Sequence, residues 1–388
     1  MTIIWRRPRK SSLVVFDRYG TQGLLPLLAN RDHVIFENRR SHLHIWVLLD
    51  MLVRLRFSWR DYCVSYLRLT KPKLVITCID SNATFYALKS GLPAVSFIAI
   101  QNGIRGNGSP LPDGDMWSML ERSRHQPPKV DYVATFGAAH SRMYAERIRC
   151  STIEIGSTRN NMIPVKSKQT SGSRRRIGFI SNFSGLPHQG IFPDGSASPI
   201  AMYLGGREIR ARDYFAADAT VAAATAVICA KSGWDLHIIG RRTPEFPFEN
   251  KFFADACGDH PFMFIAKQSE EASYQLLDTC DLVIAVDSTL GYEMIARGAR
   301  VLFVAARALN LGGPESRQFS FGFPGDYPDK GPFWTRSLDP HHLQSLMASL
   351  IEMPDHEWRL VSAFVCSELM KFDPDNSLLR SLIAEHTN

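Results

Sequence analysis

Short runs of β-branched and other apolar residues, each followed by a helix-like stretch, recur along the whole 388-residue chain and constrain its fold more than any other feature. Residues 12–17 (Ser-Leu-Val-Val-Phe-Asp) and 33–37 (His-Val-Ile-Phe-Glu) are two such runs, with a helix predicted over Thr21–Ala29 between them. The alternation continues through an amphipathic stretch from Leu43 to Leu69, a strand Lys73–Ile79, a helix Ser81–Ser90 closed by Gly91 and a strand Ala94–Ile100. A strand Tyr132–Phe136, a helix and a strand Thr152–Ile155 complete the first half. A strand buried on both sides has no polar face to show, so near-continuous apolar runs predict a parallel sheet covered by helices on both faces.

Residues 158–176 carry almost no periodic apolar signal and are rich in turn formers and charge, which marks a linker, taken here as 161–176. The alternation then restarts with Ile177–Ser181, a long helix Arg210–Ser232, a strand Asp235–Ile239, a helix near 250–257 and a strand Phe262–Ala266. A helix Ser269–Thr279, a strand Leu282–Val286, a helix Leu290–Arg297 and a strand Arg300–Val304 follow. At this length two cores are expected rather than one. The predicted fold is α/β with two Rossmann-like domains, 1–160 and 177–340, facing a central cleft. Two closing helices, Pro340–Ile351 and Pro354–Lys371, fall in a C-terminal segment 341–388.

Several function classes lose their support. The G-x-G-x-x-G fingerprint is missing after the first strand and G-x-x-x-x-G-K-S/T is missing throughout, which argues against dehydrogenase and P-loop readings. Seven cysteines contain no C-x-x-C pair, so neither a disulfide framework nor a zinc site is expected. Asp-x-Asp occurs at Asp113/Asp115 and Asp373/Asp375, in turn-rich stretches read as solvated turns, so no metal and no cofactor are predicted. No run reaches the roughly 18 to 20 uninterrupted apolar residues of a spanning helix, and the start, Met1-Thr2-Ile3-Ile4-Trp5-Arg6-Arg7, reverses the order of a signal peptide. A cytoplasmic location is expected. The net charge of +7 favours acidic partners, and charge alone does not choose among nucleotide phosphates, anionic glycans, anionic lipid headgroups and nucleic acid; the partners expected are a nucleotide sugar and a glycan or glycolipid acceptor, with no nucleic acid. Basic clusters at Arg6, Arg7, Arg9 and Lys10 and again at Arg174, Arg175 and Arg176, with Trp5 and, further along the sequence, the run His44–Leu49, suggest either a peripheral foothold on the anionic inner face of the cell membrane or a solvated basic face.

In open parallel sheets ligands lie beyond the carboxyl ends of the strands. The most informative turn is Asp287-Ser288-Thr289-Leu290-Gly291-Tyr292-Glu293, directly after a strand. Ser288 and Thr289 fall at a helix N-terminus, where unpaired N–H groups and the dipole attract phosphate, although such residues also serve as plain caps. Gly291 is read as permitting close ligand approach and Glu293 as reaching a ribose hydroxyl. Gly240 and Arg241 close another strand of the same half and would line the donor pocket. In the first half, Gln101, Asn102, Gly103 and Arg105 follow a strand and offer sugar contacts and a forked cation, or form an ordinary Asn-Gly turn. Carboxylate candidates are Asp80, which also suits a helix cap, and Asp213 and Asp218, for which a solvated helix face is the stronger reading. Ser184 and His188, in the loop opening the second domain, are further contacts, His188 as a base.

The segment Cys280–Gly298, with Ser96–Arg105 and Gly331-Pro332-Phe333-Trp334, resembles the bacterial surface carbohydrate biosynthesis proteins. It is more distantly similar to the GT-B β-Kdo transferases, which take their sugar from CMP-Kdo. The resemblance implies a metal-independent GT-B glycosyltransferase with an N-terminal acceptor domain and a C-terminal donor domain. It would move sugar from a nucleotide-activated donor, CMP-Kdo among the candidates, to a surface polysaccharide or lipid-linked glycan. The catalytic set would be Asp80, Asn102, Arg105 and Asp213. Asn102 departs from a carboxylate nucleophile, which leaves stereochemistry and nucleophile open. Alternatives on the same plan are a polyol-phosphate transferase, a nucleotide-sugar epimerase and a non-catalytic glycan assembly protein.

Overall fold

The computed structural model describes residues 2–38, 42–109, 116–122, 128–167, 174–183 and 198–387. The chain divides into two compact units, one formed by Met1–Gly103, Met116–Met162 and Lys371–Asn388, the other by Ile104–Asp115 and Ile163–Met370.

The first unit is built on six strands: β1 (Leu13–Phe16), β2 (His33–Phe36), β3 (Leu74–Thr77), β4 (Ser96–Ile100), β5 (Lys129–Thr135) and β6 (Arg149–Glu154). They lie in the order β2-β1-β3-β4-β5-β6, with every pairing parallel. Every residue of β1 and β3 is buried, in keeping with their apolar composition, and the one polar member, Thr77, donates its hydroxyl to the Phe16 carbonyl at 3.0 Å. The helix predicted over Thr21–Ala29 is instead two short 3₁₀ turns, Thr21–Gly23 and Leu25–Leu28. Gly20, Gly23 and Pro26 weaken or deny the regular helical ladder there. The stretch from Leu43 splits into helices Ile45–Val53 and Trp59–Thr70, because Leu55 adopts a left-handed φ of 53° and Ser58 with Asp61 forms a capping box. A helix not foreseen, Ser377–Thr387, places Leu379, Leu382 and Ile383 in this unit's core against Leu74, Ile76 and Ile98. Arg31 donates to Thr387 Oγ1 at 2.8 Å and pins its end.

The second unit carries β7 (Arg176–Ile180), β8 (Asp235–Ile239), β9 (Met263–Ile265), β10 (Leu282–Ala285), β11 (Val301–Val304) and β12 (Trp334–Thr335). Their order is β9-β8-β7-β10-β11-β12, again all parallel, which is the Rossmann strand order. Both sheets therefore reverse direction beside their first strand, between β1 and β3 in one and between β7 and β10 in the other. The helix Ala211–Ser232 has the length and hydropathy of a membrane span, but half of it is buried inside this unit. A hairpin, Ile200–Leu204 with Arg207–Arg210, was not legible; Gly205 and Gly206 close it with φ of 56° and 76°. The helices Pro340–Glu352 and Asp355–Phe364 match the expected tail. Asp373, expected in a solvated turn, is buried and accepts from Ser377 Oγ and Leu378 N, capping the last helix.

Candidate functional site

Strand-order reversal opens the turns on either side of it, so the residues after β7 and β10 are the natural ligand site of the second unit. Asn182, two residues past β7, donates from Nδ2 to Asp287 Oδ1 at 2.6 Å and ties the two turns together. Arg241, after β8, donates from Nη1 to the Asn182 carbonyl at 3.2 Å while its side chain stays exposed. Glu249 on the helix Phe248–Cys257 fixes this rim from below. It is fully buried and accepts from Ser181 Oγ at 2.5 Å, Arg241 N at 2.7 Å and Arg242 N at 2.8 Å. Burial raises its pKa, and those donors pull the other way. Gly240 is needed because a Cβ there would stand 2.8 Å from Phe264 and 3.2 Å from Glu249 Oε2.

Ser288 is the N-cap residue of the helix Thr289–Ala296, yet its side chain forms no capping hydrogen bond. Ser288 and Thr289 are half-buried, and neither hydroxyl is engaged by a protein group among the described residues. The helix mouth therefore keeps two hydroxyls and the N–H groups of Thr289 and Leu290 available, the Gly291 N–H being given to the Ser288 carbonyl, and Arg241 is tied to the same turn through Asn182.

Asp287 sits at that mouth and by itself would repel an anion. Its charge is partly offset from inside by Arg307, a fully buried arginine on the helix Ala306–Leu311 that it shares with Asp218. Arg307 Nε donates to Asp287 Oδ2 at 2.6 Å, and Nη2 reaches Asp218 Oδ2 at 2.7 Å. Its guanidinium lies 3.9 Å from the Tyr214 ring centroid. Burial disfavours its charge, but Asp218 and Asp287 overcome this and hold its pKa well above the usual arginine value. Burial also raises the pKa of Asp218, opposed chiefly by Arg307. Asp218 is thus a buried ion partner and not the solvated helix residue expected; Asp213, five residues earlier, is exposed beside Arg212.

Two residues of the same turn face elsewhere. A Cβ at Gly291 would lie 2.8 Å from Ala285 and from Phe303, so this glycine serves helix-to-sheet packing and not ligand approach. Glu293 is buried and accepts from Tyr274 Oη at 2.7 Å, turned into the contact with the helix Glu270–Asp278 and away from any ribose. Ser184 and His188 lie outside the described residues.

The first unit gathers a second cluster at its own reversal. Asp80, fully buried after β3, accepts from Asn102 N at 3.3 Å and from the Tyr144 hydroxyl, while its carbonyl accepts from Tyr86 Oη. Gln101 donates to Gly103 O at 3.0 Å and accepts from Phe136 N at 2.8 Å, so its amide shapes the turn rather than offering contacts to sugar. Asn102 is half-buried, and Gly20 packs on it: a Cβ at Gly20 would be 2.9 Å from Asn102 Nδ2. Gly20 also has φ of 74°. Gly20→Ala is expected to lower stability by about 1–2 kcal/mol and to displace Asn102, read out by thermal unfolding and by the Asn102 side-chain amide signals. Arg105 is half-buried and belongs to the second unit. Sequence reasoning did not foresee Asn182, Glu249 or Arg307.

Among solved structures, the chain is similar to the wall teichoic acid polymerase TagF, with a TM-score of 0.54 at 11% identity over 98% of this chain and 90% of that one. TagF has also been solved with CDPG, at a TM-score of 0.52 and 10% identity over 98% of this chain and 89% of that one. A UDP-N-acetylglucosamine 2-epimerase matches at a TM-score of 0.52 and 12% identity over 97% and 95% of the two chains. These likenesses show a GT-B-like fold. No curated protein matches. Residues 98–387 match the model of a family described as "putative O-antigen biosynthesis protein". That span is about three quarters of the sequence and includes every residue of the second unit's cluster, so the chain belongs to this O-antigen biosynthesis family.

Proposed function

We propose that the chain is a glycosyltransferase that takes a nucleotide-activated sugar and extends a surface polysaccharide or lipid-linked glycan of the O-antigen type. The second unit holds the donor: Ser288, Thr289 and the first-turn N–H groups bind its phosphate, and Arg241 neutralises the departing nucleotide. Gly240 and Asp287 shape that pocket. Asn102, with Gly103, is the acceptor side in the first unit, and Asp80 positions Asn102 through its backbone. The observation that carries this reading is the unused N-cap hydroxyl of Ser288 next to Thr289, in a turn whose Asp287 is tied through Asn182 to Arg241 and partly offset by Arg307. Membership in an O-antigen family supplies the glycan context. CMP-Kdo is the first donor to test, followed by UDP and GDP sugars.

A second reading, a nucleotide-sugar epimerase or a polyol-phosphate transferase, is favoured by the fold shared with both an epimerase and TagF. Thermal unfolding with CMP, UDP and GDP is expected to show one nucleotide raising the midpoint, by about 2.7 kcal/mol of stabilisation at a hundredfold excess over Kd. Product analysis of the cognate sugar nucleotide without acceptor then separates the readings. An epimerised donor supports the epimerase, an unchanged donor supports transfer, delivery of a polyol phosphate instead of a sugar once acceptor is added marks the polyol-phosphate transferase, and no response to any nucleotide removes all three.

A further inference from the structure

The helix Ile45–Val53 in the first unit departs from ordinary surface patterning. Val47 and Met51 face inward, one turn apart. The outward positions, which a surface helix normally fills with polar groups, hold Trp46, Leu49 and Val53 instead. The chain then turns through Leu55 at φ 53° and presents Leu52, Val53, Leu55 and Phe57 to solvent, the last three 85%, 78% and 71% exposed. Single exposed apolar side chains need no explanation, but a contiguous tip of this kind marks an interaction surface.

Charge at the tip itself is balanced, and the positive excess lies in the segment beside it. Arg54 and Arg56 alternate with the apolar residues, and the nearby carboxylates Asp50 and Asp61 are already paired with them at 3.1 and 3.5 Å. The neighbouring N-terminal segment adds Trp5, 72% exposed, whose carbonyl accepts from Trp46 Nε1 at 2.9 Å. Arg7 lies 4.2 Å over the Trp46 ring. Arg6, Arg7 and Lys10 are exposed and have no carboxylate partner among the described residues.

We infer that the outer face of the helix Ile45–Val53 and the turn after it, with the basic segment beside them, docks the protein onto an anionic phospholipid surface. Apolar side chains interleaved with arginines, and tryptophans at their border, match the boundary between headgroups and acyl chains. A second copy of the chain is a poorer occupant, since a two-fold contact would set this cationic patch against itself.

The test is flotation of the full chain with vesicles of phosphatidylglycerol and phosphatidylcholine, or of phosphatidylcholine alone, at low and high salt. The protein is expected to float with the anionic vesicles, at least about tenfold more than with the neutral ones, and to be released in part by salt. A Val53→Gln, Leu55→Asn, Phe57→Gln variant should lose about tenfold or more of that partitioning with an unchanged thermal midpoint, because all three side chains are exposed and Asn tolerates a left-handed φ. Protein that stays unbound to anionic vesicles, or a variant that floats as the parent does, overturns the inference. So does a parent that forms dimers in sedimentation velocity, which the variant abolishes, without binding vesicles.

Discussion

Arg307→Met is expected to destabilise the second unit by about 3–5 kcal/mol, lowering its thermal midpoint by roughly 10 °C or more. Arg307 is fully buried, and it is the counter-ion of a fully buried Asp218 and of Asp287, whose side chain is only 12% exposed. Methionine fills most of the volume but leaves two carboxylates without their partner, and a buried unpaired charge costs more than a lost hydrogen bond. A lost pair and a lost packing contact are separable. Adding Asp218→Leu to Arg307→Met removes one stranded charge and should recover part of the midpoint, whereas a pure packing defect would grow worse. Arg307→Lys keeps the charge but cannot serve both carboxylates with a planar fork, so an intermediate loss is expected. Donor binding should weaken alongside stability, because Asp287 at the helix mouth would then face an incoming phosphate with its full charge.

The fold was legible because strands buried on both faces have no choice but to be apolar. Leu13–Phe16, Leu74–Thr77, Leu282–Ala285 and Val301–Val304 stand out for that reason. What stayed hidden was short or conditional. β12 spans two residues, and the hairpin at Ile200–Arg210 turns on Gly205-Gly206 between an apolar strand and a charged one of four residues, too short a pattern to stand out. In the site, the turn after β10 could be read because its position follows from the strand before it. The direction of each side chain within that turn could not. Ser288 and Thr289 open the helix, while Gly291 and Glu293 are carried by the helical rotation onto the buried face.

Arg307 was missed, and Asp218 was read as a solvated helix residue, although a signal exists for their pairing. Each is a lone charge in an alanine-rich stretch, Ala305-Ala306-Arg307-Ala308 and Ala216-Ala217-Asp218-Ala219. A single charge on an otherwise apolar helix face asks for a buried partner, and two such segments of opposite sign ask for each other. Glu249 gave no comparable signal, since its neighbours Phe248, Asn250 and Lys251 resemble any helix start.

In the proposed reaction the hydroxyl pair at the mouth of the helix Thr289–Ala296 grips the phosphate of an activated sugar. Hydrogen bonds to a charged group contribute about 1.5–3 kcal/mol each, so losing two should weaken binding by roughly 100-fold or more. Both side chains are half-buried and Ser288 caps nothing, so Ser288→Ala with Thr289→Ala should leave the thermal midpoint within a few degrees of the parent. The deciding measurement is calorimetric titration of the parent and this double variant with the nucleotide that stabilises the parent. A loss of roughly 100-fold in affinity by a folded variant is the predicted result, and equal affinity in the two proteins would contradict it.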